Sequence, residues 1–391
     1  MVAVRGIGSA LGVFGIGLFA SAGCKPSGSL AQGAVGTDAG TDVADAASCP
    51  APAPGPSWTE LPAPPPEVAG LTVTDVWPAG EDDFFFAGSF PDRGADAGAA
   101  AGPGCVVLRW THGCWTVEMT QPTAKAVWPR IAGTSPSDVW LTATDTIYHR
   151  DAAGWTAQDD AWRATITPLP LYGTPRLTDV RPRTADEVWF TTTYAVLRLS
   201  SGKWQSWELT TGEPDAPASI TWFFNKLWVA GPDDVWAAGG SDQVSNTMDP
   251  AGLYHFDGTS WSFRYAGVFG VDDLWPAAGE GQFWLAVPVS AEQLYTIGLS
   301  GSATAPLTPA PIAGWHGTNE VVSLWGRSPT DVWAAGEDVA HYDGTTWTEV
   351  PGTPDAVRDI NHVYSDSLVT GDATATWLVG RGPRFFRQAA P

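Results

Sequence analysis

Residues 321–350 read VVSLWGRSPTDVWAAGEDVAHYDGTTWTEV, four short apolar runs separated by turn-forming residues. Ser323-Leu324-Trp325 ends the first run. Arg327 to Asp331, rich in Ser, Pro, Thr and Asp, turns the chain into Val332-Trp333-Ala334-Ala335. Gly336-Glu337-Asp338 leads into Val339 to Tyr342, and Asp343-Gly344 is a hairpin signal ahead of Thr346 to Val350. Strands this short, joined by tight turns, fold as one antiparallel four-stranded sheet.

The same order recurs along the chain at intervals of about 50 residues. Trp77, Trp128, Trp228, Trp275 and Trp325 take the first-strand position, with Arg181 in the remaining slot. Trp140, Trp189, Trp236, Trp284, Trp333 and Trp377 take the second, and Trp58, Trp115, Trp155, Trp204, Trp261 and Trp347 the fourth. Most of the 22 tryptophans are thus a repeat signature. A repeat of this length made only of short strands marks a β-propeller, one blade per copy. From Trp58 to the end at Pro391 the period fits seven times.

The last copy, Asp359 to Gln388, lacks a fourth strand, while Ser57-Trp58-Thr59-Glu60-Leu61 resembles Thr346 to Val350 but has no strands before it. The predicted fold is therefore all-β: a seven-bladed β-propeller of four-stranded antiparallel blades over residues 57–391, closed by its N-terminal strand, which removes exposed sheet edges. Blades 1 and 4 carry long insertions between their second and third strands, Ser89 to Gly104 and Gly240 to Gly252.

Residues 1–23 have signal-peptide anatomy: Arg5, then an apolar run from Gly6 to Ala20 too short to span a bilayer. Ser21-Ala22-Gly23-Cys24 resembles a bacterial lipobox, which implies lipidation of Cys24. Ser21 stands where Leu is usual, so ordinary cleavage near Ala22 is the alternative. Residues 24–56 are rich in Ala, Pro, Gly and Asp, cannot bury a core, and are expected to be a disordered tether.

The formal charge of −22 argues against nucleic acid or anionic lipid as a ligand of the domain. With membrane contact confined to a lipid anchor, the expected location is the cell envelope, as an outer-membrane lipoprotein or a secreted monomer. Cys105 and Cys114 flank a hairpin around Thr111-His112-Gly113 that places Trp110 opposite Cys114 and Cys105 opposite Met119, too far apart to bond. Cys49 could pair with either. The cysteine spacing fits no zinc site, and no cofactor is expected.

The acids Asp138, Glu187, Asp234 and Asp331 precede the second strands and are expected to close turns through backbone N–H groups. His149, His255 and His341 hold one third-strand position in different blades, too far apart to share a metal, with Arg109 and Arg198 in the same slot. Arg130, Arg183 and Arg327 follow the first strand and are expected to pair with the next turn's acids. G-x-S-x-G, H-E-x-x-H and phosphate-loop patterns do not occur, and no catalytic residue is assigned. The non-repeat residues Trp222, Phe224, Trp315 and His316, with Asp242 and Asp249 of the blade 4 insertion, are the candidate ligand-binding set; Trp110, Trp162 and Trp207 also fall outside the repeat slots.

The pattern Asp-Val-Trp-Ala-Ala-Gly, then His-Tyr-Asp-Gly-Thr-Thr-Trp, resembles a propeller repeat common in exported proteins of myxobacteria and their relatives. It is more distantly similar to the Asp-box of sialidase-like propellers, Ser-x-Asp-x-Gly-x-Thr-Trp. Here Asp257-Gly258 and Asp343-Gly344 are adjacent rather than one residue apart. The resemblance implies a fold more than an activity. The expected function is an exported, lipid-anchored binding or scaffolding module for a cell-surface protein or glycan. The alternative is a glycoside hydrolase or lyase on the same scaffold.

Overall fold

The computed structural model describes residues 57–391 apart from the segments 91–102, 123–127, 168–174, 210–221, 242–250, 267–270, 278–281, 288–293, 299–307, 316–320, 337, 358–367, 381–382 and 390–391. Residues 1–56, where a signal peptide and a tether are expected, lie outside the described residues, Cys24 and Cys49 with them. Among those described, no helix is long and apolar enough to cross a membrane.

The strands form seven sheets, one per blade. Their first strands are Thr72–Gly80, Arg130–Ser135, Leu177–Thr184, Trp222–Gly231, Asp273–Pro276, Val321–Ser328 and Leu368–Gly371. Each pairs antiparallel with the strand that follows: Asp83–Ser89, Asp138–Ala143, Glu187–Thr192, Asp234–Ser241, Gln282–Ala286, Asp331–Gly336 and Ala375–Gly380. The third and fourth strands continue outward in order. In the C-terminal blade the third strand, Arg384–Ala389, pairs with Thr59–Glu60, with Thr59 opposite Arg387 and Glu60 opposite Phe386. Blade 6 departs from four strands: Ile312–Ala313 adds a fifth, parallel to Trp347–Glu349.

The core is divided into seven apolar clusters, one between each pair of neighbouring blades. Side chains alternate across a strand, so a blade buries both faces. Phe84 and Phe86 pack toward Trp377 and Phe385 of blade 7, while Phe85 and Ala87 pack toward Ile131 and Leu141 of blade 2. This two-sided burial explains why second strands read as nearly continuous apolar runs.

The register corrects one repeat assignment. Trp77, Arg181, Trp228, Trp275 and Trp325 each lie opposite the second-strand aromatics Phe85, Trp189, Trp236, Trp284 and Trp333. In blade 2 the residue opposite Trp140 is Ala132, and in blade 7 the residue opposite Trp377 is Thr370. Trp128 is therefore not a first-strand residue; it lies ahead of that strand and is 63% exposed. Its interval from Trp77 matches the period, but face burial sets register: Ile131 packs toward blade 1 and Ala132 toward blade 3. By the same shift Arg130 precedes the slot by two residues, whereas Arg183 and Arg327 follow it by two.

The Cys114 hairpin turns on His112-Gly113 alone, both with positive φ (51° and 87°), as a two-residue type I′ turn requires. Thr111, not Trp110, therefore lies opposite Cys114, and a bulge after Val107 sets Gln121, not Met119, opposite Cys105. The two cysteines do not pair. Cys105 is free and buried, which pushes its thiol up to about 12, and Cys114 is disulfide-bonded.

Leu61 is buried between blades 7 and 1, and its N–H donates to the Phe385 carbonyl at 2.9 Å. Glu60 pairs with Arg384 at 2.7 Å, but both side chains are about half exposed. Leu61→Ala is expected to destabilise the domain by about 2–5 kcal/mol. Glu60→Ala should cost under about 1 kcal/mol. Denaturant unfolding of the two variants measures the contrast, and equal effects would contradict it.

Candidate functional site

The seven first strands surround a central channel with a cavity of about 310 Å³. Two residues before the aromatic slot, successive blades place Asp75, Arg130, Asp179, Lys226, Asp273, Ser323 and Leu368. The acids reach into the next blade. Asp75 accepts the Ile131 N–H at 2.8 Å, Asp179 the Leu227 N–H at 2.8 Å and Asp273 the Leu324 N–H at 2.9 Å. Ser323 Oγ accepts the Val369 N–H at 3.3 Å. The basic residues fill the blades between: Arg130 donates to the Thr74 carbonyl, and Lys226 Nζ lies 3.5 Å from Asp273.

Arg181 stands in the slot itself, where four blades have Trp. Its guanidinium lies 3.4 Å from Asp179 and donates to the Leu227 carbonyl at 3.3 Å. Burial pushes the Asp179 carboxyl above its ordinary value despite Arg181 and Lys226. Burial works against the charge on Arg181, but Asp179, then Asp75 and Asp273, outweigh it and raise its pKa. The channel-lining charges are Asp75, Asp273, Arg181 and Lys226, two of each sign.

The slot indoles lie over glycines of the following blade. A Cβ at Gly133 would come 2.6 Å from Trp77, one at Gly326 2.7 Å from Trp275 and one at Gly371 2.5 Å from Trp325. Trp228 instead meets Trp275 edge-on, with ring centroids 5.2 Å apart. These four tryptophans are half-buried and line the channel.

The turn acids act differently from expectation: they bind side chains rather than closing the turn through backbone N–H groups. Asp138, Asp234 and Asp331 each accept the indole N–H two residues on, at 3.1, 2.8 and 3.1 Å. The same carboxylate oxygen holds Nε2 of His149, His255 or His341 at 2.8, 3.0 and 2.8 Å. Each imidazole stacks on its blade's indole, at centroid distances of 4.1, 4.1 and 4.4 Å. Glu187, Trp189 and Arg198 make the equivalent group, as do Asp83, Phe85 and Arg109. Arg183 and Arg327 pair with Glu187 and Asp331, as their spacing suggests. Burial opposes ionisation of Glu187 and Asp331, but the bonds from Arg183 and Trp189, and from His341 and Arg327, hold both carboxyls below their usual range. The acids of the Asp-Gly turns do accept backbone N–H groups: Asp343 takes those of Thr345 and Thr346, with Gly344 at φ 93°.

Of the sequence-derived ligand set, Phe224 is fully buried, its ring edge-on to Tyr254 at 5.6 Å, so it packs between blades 3 and 4 and offers no surface. Trp222 begins the first strand of blade 4, opposite Ser241, beside the connection from blade 3. Trp315 is half-buried against the cluster between blades 5 and 6. His316, Asp242 and Asp249 lie outside the described residues. Trp110 and Trp162 are fully buried, and Trp207 stacks on Trp189 with centroids 5.6 Å apart. What the sequence reading passed over is Trp128 and the channel charges. Arg181 carried a signal, since it breaks the Trp slot.

No protein-family model and no curated protein matches the chain. Solved structures do. YCF48 bound to a D1 peptide matches at 13% identity and TM-score 0.54, over 88% of this chain and 100% of that one. Virginiamycin B lyase from Staphylococcus aureus matches at 12% identity and TM-score 0.58, over 86% and 99%. PorZ of Porphyromonas gingivalis matches at 11% identity and TM-score 0.58, over 81% of this chain and 46% of PorZ. At these identities the likeness is of fold, a β-propeller.

Two outcomes follow from the packing and the ionisation. Gly371→Val should cost about 1–3 kcal/mol or more, because the added atoms meet the Trp325 ring. Gly352→Ala, a site with open space but positive φ (76°), should cost less; denaturant midpoints compare them. The depressed carboxyls of Glu187 and Asp331 contribute stability that is full above the unfolded carboxylate pKa of about 4 and is lost as pH falls through their folded values. Asp331→Asn should therefore lower the melting temperature at pH 7 and flatten its fall in acid. An unchanged acid limb would contradict this.

Proposed function

We propose that this protein is an exported, lipid-anchored binding module for a protein or glycan ligand at the bacterial cell surface. The carrying observation is elaboration concentrated at one end of the blades, with blade 5 the exception, where the third strand stops at Gly298 and the fourth resumes at Thr308 on the other end. Connections between second and third strands leave the same end of the blades as the connections between blades. At that end the second strands of blades 1 and 4 stop at Ser89 and Ser241, and the third strands resume only at Pro103 and Ala251. On the other end Glu81-Asp82, Pro136-Ser137, Ala185-Asp186, Pro232-Asp233 and Pro329-Thr330 join first to second strands by two residues each. Variable connections on a rigid scaffold are where specificity is usually placed. The repeat's likeness to exported myxobacterial proteins supports the export reading, as does the signal-peptide anatomy of residues 1–23. Among propellers of this shape, YCF48 is seen bound to a peptide and PorZ is a bacterial surface component, which favours a partner-binding role here.

Trp222, Trp315, His316, Asp242 and Asp249 belong to this face in the proposal; Phe224 is withdrawn from it. The test is binding of the full chain to intact cells and envelope fractions, before and after each excursion is replaced by a short Gly-Ser link. Shortening should weaken binding about tenfold or more at unchanged melting temperature. If both shortened forms bind normally while changes at Pro329-Thr330 abolish binding, the working face is the other one. Consumption of a glycan by the unaltered protein would favour the hydrolase or lyase reading. Cys24→Ser should move the protein out of the membrane fraction or leave it unprocessed, and fractionation with intact mass decides this.

A further inference from the structure

We infer that the ligand entering the central channel is an uncharged oligosaccharide, whose end lies among Asp75, Arg181, Lys226 and Asp273 while Trp128 forms a stacking platform at the rim. This rests on the reading of the protein as a binding module and names the ligand class and the site.

Size favours a chain end over a folded partner. A cavity of about 310 Å³ is at the lower limit of small-ligand pockets, about 300–1,000 Å³. Charge favours a neutral ligand. Asp75 and Asp273 balance Arg181 and Lys226 along the lining, Asp179 behind Arg181 adds a further acid, and the chain carries −22 overall, so anions are repelled. An ionic group of either sign would have to compete with pairs already made, Lys226 with Asp273 and Arg181 with Asp179. A hydroxyl both donates and accepts. It can add to Arg181, whose side chain is 28% exposed, and to a neighbouring carboxylate without separating a charge pair. Ser323 and Thr370 add hydroxyls to the same wall, and the half-buried indoles offer flat apolar faces for the C–H side of a sugar ring.

The rim residue is held in place before any ligand arrives. Trp128 is the large apolar side chain left exposed among the described residues. Its backbone neighbour Pro129 accepts Thr74 Oγ1 at 2.6 Å, Arg130 donates to the Thr74 carbonyl, and the Ile131 N–H donates to Asp75 at 2.8 Å. An exposed indole on a pinned backbone loses little freedom on binding, which is the advantage of a preformed anchor. At about 3.3 Å per residue, Trp128 stands roughly 13 Å along the chain from Ala132 of the channel wall, a span a short oligosaccharide can bridge.

The test titrates the purified full chain with maltotetraose, cellotetraose, xylotetraose and chitotetraose by calorimetry and tryptophan emission, with oligolysine and heparin as charged probes. At least one tetrasaccharide should bind, with affinity changing less than about twofold between roughly 50 and 500 mM NaCl, since no ion pair is formed. Trp128→Ala, at an exposed position, should keep the melting temperature and weaken binding about tenfold. Arg181→Gln should also weaken binding, at a lowered melting temperature because buried Asp179 loses its partner, and Arg181→Lys should recover part of the binding. Failure of all four sugars, with an envelope protein captured instead at the loop face, overturns this inference and leaves the binding-module reading standing. Salt-sensitive binding of oligolysine or heparin alone also overturns it, and so does sugar binding that neither Trp128→Ala nor Arg181→Gln affects. Hydrolysis of the bound sugar would keep the site and overturn the module reading.

Discussion

Every blade has two apolar faces and no core of its own, so its stability depends on a neighbour on each side. The seven clusters between blades are the form this takes, and the cluster joining Phe84 and Trp110 to Trp377 and Phe385 links the first blade with the last. A sheet buried on both faces cannot alternate apolar and polar residues. The segment Asp138–Ala143 is buried at every position for this reason. The same demand accounts for the abundance of tryptophan: large flat rings fill the wedge between sheets.

Apolar packing alone leaves neighbouring blades free to slide, because one flat apolar face fits another at several registers. Directional contacts fix the choice. Carboxylates at Asp75, Asp179 and Asp273 each accept a backbone N–H from the following blade, and an indole then comes to rest on a glycine of that blade wherever Trp and Gly coincide. A slipped blade would leave a buried N–H without its acceptor and drive an indole into a side chain. In blades 2, 3, 4 and 6, the acid that opens the second strand clamps an indole and a stacked His or Arg, which fixes the rings that the neighbouring blade packs against.

These contacts also shape what the molecule offers to others. Most of the recurring acids, histidines and arginines are engaged with one another inside or between blades. That leaves the channel residues, the exposed Trp128 and the long connections as surfaces for recognition. Arg181 illustrates the difference between repeat and site. Where other blades place an indole over the next blade, it brings a guanidinium into the channel beside Asp179, close enough to feel Asp75 and Asp273.

The sequence by itself determined the architecture. Period, turn chemistry and strand patterning are local properties, so the seven copies, the order of strands within a blade, the pairing of Arg183 with Glu187 and the separation of Cys105 from Cys114 could all be read from residues near one another. Tertiary structure decided the rest. Trp128 has the spacing of a slot residue, yet burial of Ile131 on one face and Ala132 on the other moves it out of the strand and into solvent. Phe224 has the look of a surface aromatic, yet it fills the gap between blades 3 and 4. The pairing of Asp75, Asp179 and Asp273 with amides about 50 residues away, and the meeting of charges from separate blades in one channel, arise only when the ring has formed. Register is set by which face is buried, and burial depends on a neighbouring blade that a local pattern does not contain.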